Sequence, residues 1–157
     1  MAFSPGGHIL ASVSSPARGS GGSTVQLWDV TDPAHPRLLG QPQTGNEFVA
    51  TLVFSPDGHT LAASGYGGTV QLWDVTHPGH PRPLGQPLTG GGSAVDAVAF
   101  NPDRHTLATG SLDGTIRLWN LNVRYAIEQI CATAGGLTPG QWNQYIPQLP
   151  YRPSCIH

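Results

Sequence analysis

The stretch "TVQLWDV" at residues 24–30 decides the fold, because it returns unchanged at 69–75 and as "TIRLWNL" at 115–121. The tryptophans inside these three stretches stand 45 and 46 residues apart. A constant period of this length is the mark of a chain built from repeated supersecondary units. The sequence therefore predicts three repeats of one structural unit.

Each repeat reads as about four short β-strands. In the second repeat Val70 and Leu72 project to one face of a strand while Trp73 projects to the other, which is the alternation of a pleated strand. Turn signals such as "SPDG" at 55–58 and "NPDR" at 101–104 separate the apolar runs. For the second repeat we expect an inner strand ending near Phe54 and further strands at 60–64, 69–75 and 82–88.

Four-stranded units that carry a "WD" dipeptide at this period resemble the WD-repeat β-propeller family, over residues 1–121. The elements "FSPDG", "DGT" and "LWD" recur in order and at nearly constant spacing. The resemblance implies an all-β partial propeller: antiparallel blades around a central channel that act as a rigid platform for partners. We expect three blades, near 1–41, 48–88 and 94–121, with the ring not closed within the chain.

The resemblance also implies a set of structural positions. Many blades of this family hold a buried, hydrogen-bonded set: a Trp, a Ser or Thr ten residues before it, an Asp six residues before it, and a loop His. The third repeat keeps most of this set, without the His, whereas the second has Ala63 and Gly67 instead. Because most of this hydrogen-bonded set is missing, we expect softer blades that are held mainly by apolar packing. The structural repeat positions are Trp28, Asp29, Trp73, Asp74, Thr109, Asp113 and Trp119.

Residues 122–157 are expected to form a tail with two short helices and a Pro-rich end. Val123, Ile127 and Ile130 have helical spacing, and Thr138 followed by Pro139 is typical of a second helix start. The tail resembles the ending of large actinobacterial WD-repeat proteins, in which a propeller follows an NTPase, a kinase or a helix-turn-helix part. The alternative for residues 122–157 is a purely structural role, as a cap packed on the last blade.

Candidate chemistry is weak. Seven histidines suggest a metal site, and "HPGH" at 77–80 has a ligand spacing, but His8, His59 and His105 recur one per repeat and would lie too far apart for one ion. No Ser-His-Asp arrangement and no phosphate-binding glycine motif stands out. We therefore predict no metal, no cofactor and no enzymatic activity.

Composition limits the partners. Charged residues make up 10% of the chain and the net charge is -2, which supplies no basic field for nucleic acid. No apolar run is long enough to span a membrane and no signal peptide is evident, so we expect a cytoplasmic protein. Cys131 and Cys155 could pair, although a reducing cytoplasm argues against it.

Phe48 and Tyr66 are the candidate partner-binding residues, because both lie near loops where binding surfaces form. The alternative is that Phe48 begins an inner strand and Tyr66 lies in a link. The leading hypothesis is a non-catalytic protein-protein interaction scaffold; the alternative is the truncated regulatory or sensor part of a larger signalling protein. Three blades with two exposed faces predict either a C-terminal fragment or self-association, for example two arcs that form six blades.

Overall fold

A computed structural model describes residues 1–14, 22–42, 48–89 and 92–122. Every regular element in these ranges is a β-strand, and the strands form three antiparallel sheets, one for each repeat. Within the same ranges no helix is long and apolar enough to cross a membrane. The helices expected after Asn122 lie outside the described residues.

Blade 1 is a four-stranded sheet in which each strand pairs with the next along the chain. Its central hairpin pairs six residues on each side, from Ile9 opposite Asp29 to Ser14 opposite Thr24. Its β-branched residues, such as Val13 and Val25, and the aromatic Trp28 suit a half-buried, pleated position. The strands are β1 (Ala2–Phe3), β2 (Ile9–Ser14), β3 (Thr24–Asp29) and β4 (Arg37–Gly40).

Blade 2 repeats this order but divides its outer strand. The continuous strand expected at 82–88 is wrong: two short strands pair separately with the third strand of the blade, because Pro83 has no N–H for the ladder and Gly85 takes a φ of 68°. The strands are β5 (Val49–Phe54), β6 (Thr60–Gly65), β7 (Thr69–Asp74), β8 (Arg82–Pro83) and β9 (Leu88–Thr89).

Blade 3 has three strands within the described residues. A register shift between Val95 and Ala97 matches the one between Val49 and Thr51 in blade 2, so the inner strands of both blades bend at the same place. The strands are β10 (Val95–Phe100), β11 (Thr106–Ser111) and β12 (Ile116–Asn120).

Each blade presents two different apolar faces, because successive side chains alternate across the sheet. We call them the tryptophan face, which carries Phe, Leu and Trp, and the alanine face, which carries Ala, Val or Ile, and Leu. In blade 2 the tryptophan face holds Phe54, Leu61 and Trp73, and the alanine face holds Ala62, Val70 and Leu72.

The core lies between blades. The alanine face of blade 1 packs against the tryptophan face of blade 2, where Leu27 is fully buried and Trp73 is 2% exposed. The alanine face of blade 2 packs in the same way against blade 3, around Val70 and Leu107. Of the three described blades, blade 2 is therefore the one that is covered on both faces.

Candidate interaction surfaces

The repeat tryptophans anchor the two end blades through a hydroxyl group. Trp28 Nε1 donates a hydrogen bond to Ser12 Oγ, and Trp119 Nε1 donates one to Thr109 Oγ1, each over 3.0 Å. The strand register places Ala63 at the same position in blade 2, where the side chain offers no acceptor. The bond that orients the indole in blades 1 and 3 is thus lost from blade 2.

Ser12 escapes a search that counts ten residues back from the tryptophan. The link between β2 and β3 is longer in blade 1, so 16 residues separate Ser12 from Trp28. Counting two residues forward from Leu10, the residue opposite Trp28, finds it directly. Blade 1 therefore keeps a tryptophan-hydroxyl bond that the sequence pattern assigned to the third repeat alone.

Asp113 does not join Thr109 and Trp119 in a buried set, as the resemblance implied. It is exposed, and its Oδ1 accepts the N–H of Thr115 over 2.9 Å and the hydroxyl of Thr115 over 2.6 Å. The Thr115 hydroxyl bond, followed by the Thr115 N–H, lowers the pKa of Asp113. The sequence directly before the inner strand of this blade contains no His that could bind Asp113. The carboxylate instead accepts hydrogen bonds from its own turn.

The other repeat aspartates also build turns. Asp29 and Asp74 each accept the N–H of the residue two positions on, over 2.9 Å, and a threonine hydroxyl bond is the main cause that lowers the pKa of each. The Ser55 hydroxyl donates to Asp57 over 2.6 Å and lowers the pKa of that carboxyl. A carboxylate held ionised by such donors is a poor proton acceptor near pH 7, which suits structure better than acid-base catalysis.

One edge of the blades carries His8, His59 and His105, one in the turn between the first and second strands of each blade. We call this edge the histidine rim. The carbonyl oxygens of these histidines accept the N–H of the residue after the third strand, over 2.9, 2.8 and 2.6 Å. The other described histidines lie at the same edge, in the links that follow the third strands of blades 1 and 2: His35, His77 and His80. Even so, no three His, Cys, Asp or Glu side chains in the described ranges are grouped closely enough to hold a metal ion.

The opposite edge, the hairpin rim, is defined by Phe48, Tyr66 and Leu112. These side chains are 49%, 64% and 66% exposed, respectively. The Tyr66 N–H donates to the Phe48 carbonyl over 3.1 Å, so the two aromatic residues predicted from sequence are backbone neighbours. Leu112 escaped the sequence search, although its offset of 46 residues from Tyr66 gives it the same place in blade 3.

The hairpin rim is continuous from blade 2 to blade 3. Gly68 has a φ of 74°, and a Cβ at this position would lie 2.7 Å from the Ser93 carbonyl oxygen. Beyond it, the Leu112 N–H and the Ser111 hydroxyl both donate to the Ala94 carbonyl, over 3.0 Å each. These contacts fix the backbones that carry the exposed apolar side chains.

The described sheets are built from consecutive antiparallel strands and stack face to face in sequence order, which is consistent with part of a β-propeller. Two segments, residues 38–74 and 82–120, match the family described as WD domain, G-beta repeat. Each begins in the outer strand of one blade and ends with the third strand of the next. The matches support a WD-repeat family for the chain. No curated protein matches the chain significantly.

Proposed function

We propose that the chain is a non-catalytic platform that binds protein partners through the hairpin rim. WD repeats generally mediate protein-protein interactions. The observation that carries the proposal is the placement of Phe48, Tyr66 and Leu112, all exposed, on one edge of blades 2 and 3, whose backbones approach each other at Gly68 and Ser93. Single exposed apolar side chains are ordinary on protein surfaces, whereas a group on one edge marks a binding site.

The chemistry of the two rims favours this edge. Tyrosine and phenylalanine are enriched in binding interfaces, where they bury a large area at little entropic cost. On the histidine rim the carboxylates of Asp57 and Asp103 are already bonded to donors of their own turns. We therefore assign partner binding to the hairpin rim and a structural role to those turn aspartates.

The proposal extends to three further points. The chain also associates with itself, through surfaces other than the hairpin rim. It is divided into repeats at 1–121 and a tail at 122–157. Nucleic acid is not an expected partner at a net charge of -2. A cytoplasmic location, an actinobacterial origin and the regulatory-part alternative stay predictions of the sequence.

Affinity capture from the organism that encodes the chain tests the proposal. We expect the wild type to capture a defined protein, and the triple variant Phe48→Ser/Tyr66→Ser/Leu112→Ser to bind that purified protein at least about 30-fold more weakly. The matched control is His8→Ser/His77→Ser/His80→Ser, which changes three exposed side chains on the histidine rim. Equal binding by both triple variants contradicts the assignment.

A further inference from the structure

The structure contains the same blade junction twice. At the first junction, Val25 and Leu27 of blade 1 are fully buried against the tryptophan face of blade 2. At the second, Val70 and Leu72 of blade 2 are 1% and 8% exposed against the tryptophan face of blade 3. The pairing rule within the chain is therefore that an alanine face packs on a tryptophan face.

Within the described ranges, one apolar face of each kind is exposed. Blade 3 presents its alanine face, on which Ile116 and Leu118 are 78% and 72% exposed. Blade 1 presents its tryptophan face, on which Phe3 is 61% exposed, whereas the equivalent Phe54 of blade 2 is 7% exposed. One chain thus carries both halves of the junction that it already forms twice.

We propose that a second copy of this chain covers both open faces at once, with the alanine face of each blade 3 against the tryptophan face of the other copy's blade 1. The inference rests on the proposed self-association and names its surfaces. A second copy is the occupant because it supplies both complementary faces in the correct order and continues the packing found inside the chain. The two new junctions are identical, related by a two-fold axis.

The number of blades agrees with this assembly. Propellers close with four to eight blades. The described residues of one copy form three blades and those of two copies form six, so two is the one copy number that falls in this range. Closure also removes the apolar faces from water, which is the main force for association.

Light scattering coupled to size-exclusion chromatography tests the proposal on the full 157-residue chain. We expect a particle of twice the 16.5 kDa chain mass that stays the same from about 1 µM to about 200 µM. Leu118→Arg places a charge on the open alanine face, and Phe3→Arg places one on the open tryptophan face. Each variant alone should weaken the dimer at least about 30-fold, because every junction uses both faces.

The control is His80→Arg, which adds a charge at an exposed position on the histidine rim and should leave the dimer intact. Ile116→Arg repeats the test at a second position, and circular dichroism checks that every variant is folded. A monomeric wild type overturns the proposal. If Phe3→Arg stays dimeric while Leu118→Arg becomes monomeric, two alanine faces pair with each other and the proposal is overturned. Particles larger than a dimer would overturn the closed ring. Loss of partner capture without loss of the dimer would concern only the hairpin rim.

Discussion

Leu72 and Leu118 occupy the same position in neighbouring blades, on the alanine face and one residue before the tryptophan. Leu72 is 8% exposed and Leu118 is 72% exposed. Their local sequences, "QLW" and "RLW", and their strand pairings are nearly the same. The difference teaches that a strand in this architecture is buried by the next blade, and that local sequence does not show which blade has a neighbour.

Replacing each leucine in turn with alanine tests most directly whether the two positions differ in burial. Leu72→Ala should lower the free energy of unfolding by about 2 to 5 kcal/mol, because it leaves a cavity in the core between blades 2 and 3. Leu118→Ala should change it by less than about 0.5 kcal/mol in the isolated chain. Urea unfolding of each variant in the Phe3→Arg background, in which association is weakened, measures both values. Equal losses would mean that Leu118 is also covered.

A second pair of positions compares the hairpin turns. Gly68 and Gly114 both have left-handed φ values, 74° and 81°, but among the described residues nothing lies within 4 Å of a Cβ at Gly114, whereas Ser93 lies close to one at Gly68. Gly114→Ala should cost about 1 kcal/mol from backbone strain. Gly68→Ala should cost about 2 to 3 kcal/mol, since the Ser93 backbone must also move.

Thermal unfolding of the two glycine variants provides the measurement. A larger loss of stability for Gly68→Ala confirms that the turn of blade 2 is held against the strand entering blade 3. If Gly114→Ala proves equally costly, the contact with Ser93 adds nothing and backbone conformation accounts for both values.

Moving one hydroxyl group within blade 2 is expected to stabilise the folded chain. The Ser64 Oγ is buried and has no hydrogen-bond partner among the described residues, while Ala63 stands where Ser12 and Thr109 accept the tryptophan N–H in the other blades. The double variant Ala63→Ser/Ser64→Ala moves the hydroxyl by one residue and to the opposite face. We expect the free energy of unfolding to rise by about 1 kcal/mol, as measured by urea titration.

The reciprocal control for the hydroxyl shift is Thr109→Val in blade 3. This change removes the acceptor of the Trp119 Nε1 bond at nearly constant volume and should cost about 1 to 2 kcal/mol. A double variant of blade 2 that loses stability would show that the tryptophan of this blade does not use an acceptor at residue 63.

The smallest expected effect is the dependence of stability on pH. The Ser55 hydroxyl lowers the pKa of Asp57, so the folded state favours the carboxylate; the stability it adds is complete above the unfolded pKa of about 3.9 and is lost as the pH falls through the lowered value. Blade 1 has Gly6 at the equivalent turn position. Asp57→Asn should flatten the fall in stability between about pH 5 and pH 3, by less than about 1 kcal/mol.

Urea midpoints at several pH values in that window, for the wild type and Asp57→Asn, measure this contribution. The wild type should lose more stability than the variant on acidification. Parallel curves for the two proteins would assign the acid sensitivity to the other turn aspartates, among them Asp74 and Asp103, whose pKa values are also lowered by bonds in their own turns.

The elements of the fold were open to prediction because they depend on local pattern. The strands expected at 60–64 and 69–75 correspond to Thr60–Gly65 and Thr69–Asp74, since alternation and turn residues fix them within a few residues. The division of the outer strand of blade 2 could not be predicted from the local pattern. Whether Pro83 and Gly85 interrupt this strand or only bend it depends on how the chain returns to β7.

The candidate site was predicted in part. Phe48 and Tyr66 follow from aromatic type and loop position, but Leu112 required a comparison across the period. Ser12 was hidden by the longer link in blade 1, and Asp113 took donors from its own turn. A fixed sequence distance from the tryptophan cannot find such residues, because their partners are set by strand register and by loop length.

The placement of the core between blades governs the order in which the molecule comes apart. Opening of blade 1 removes one junction and leaves blades 2 and 3 packed together, and opening of blade 3 does the reverse. Opening of blade 2 removes both junctions at once. In the single chain, a linear stack of units, stability is shared between neighbours. We therefore expect the two end blades to fray first and β6 and β7 to be the last strands to lose their hydrogen bonds.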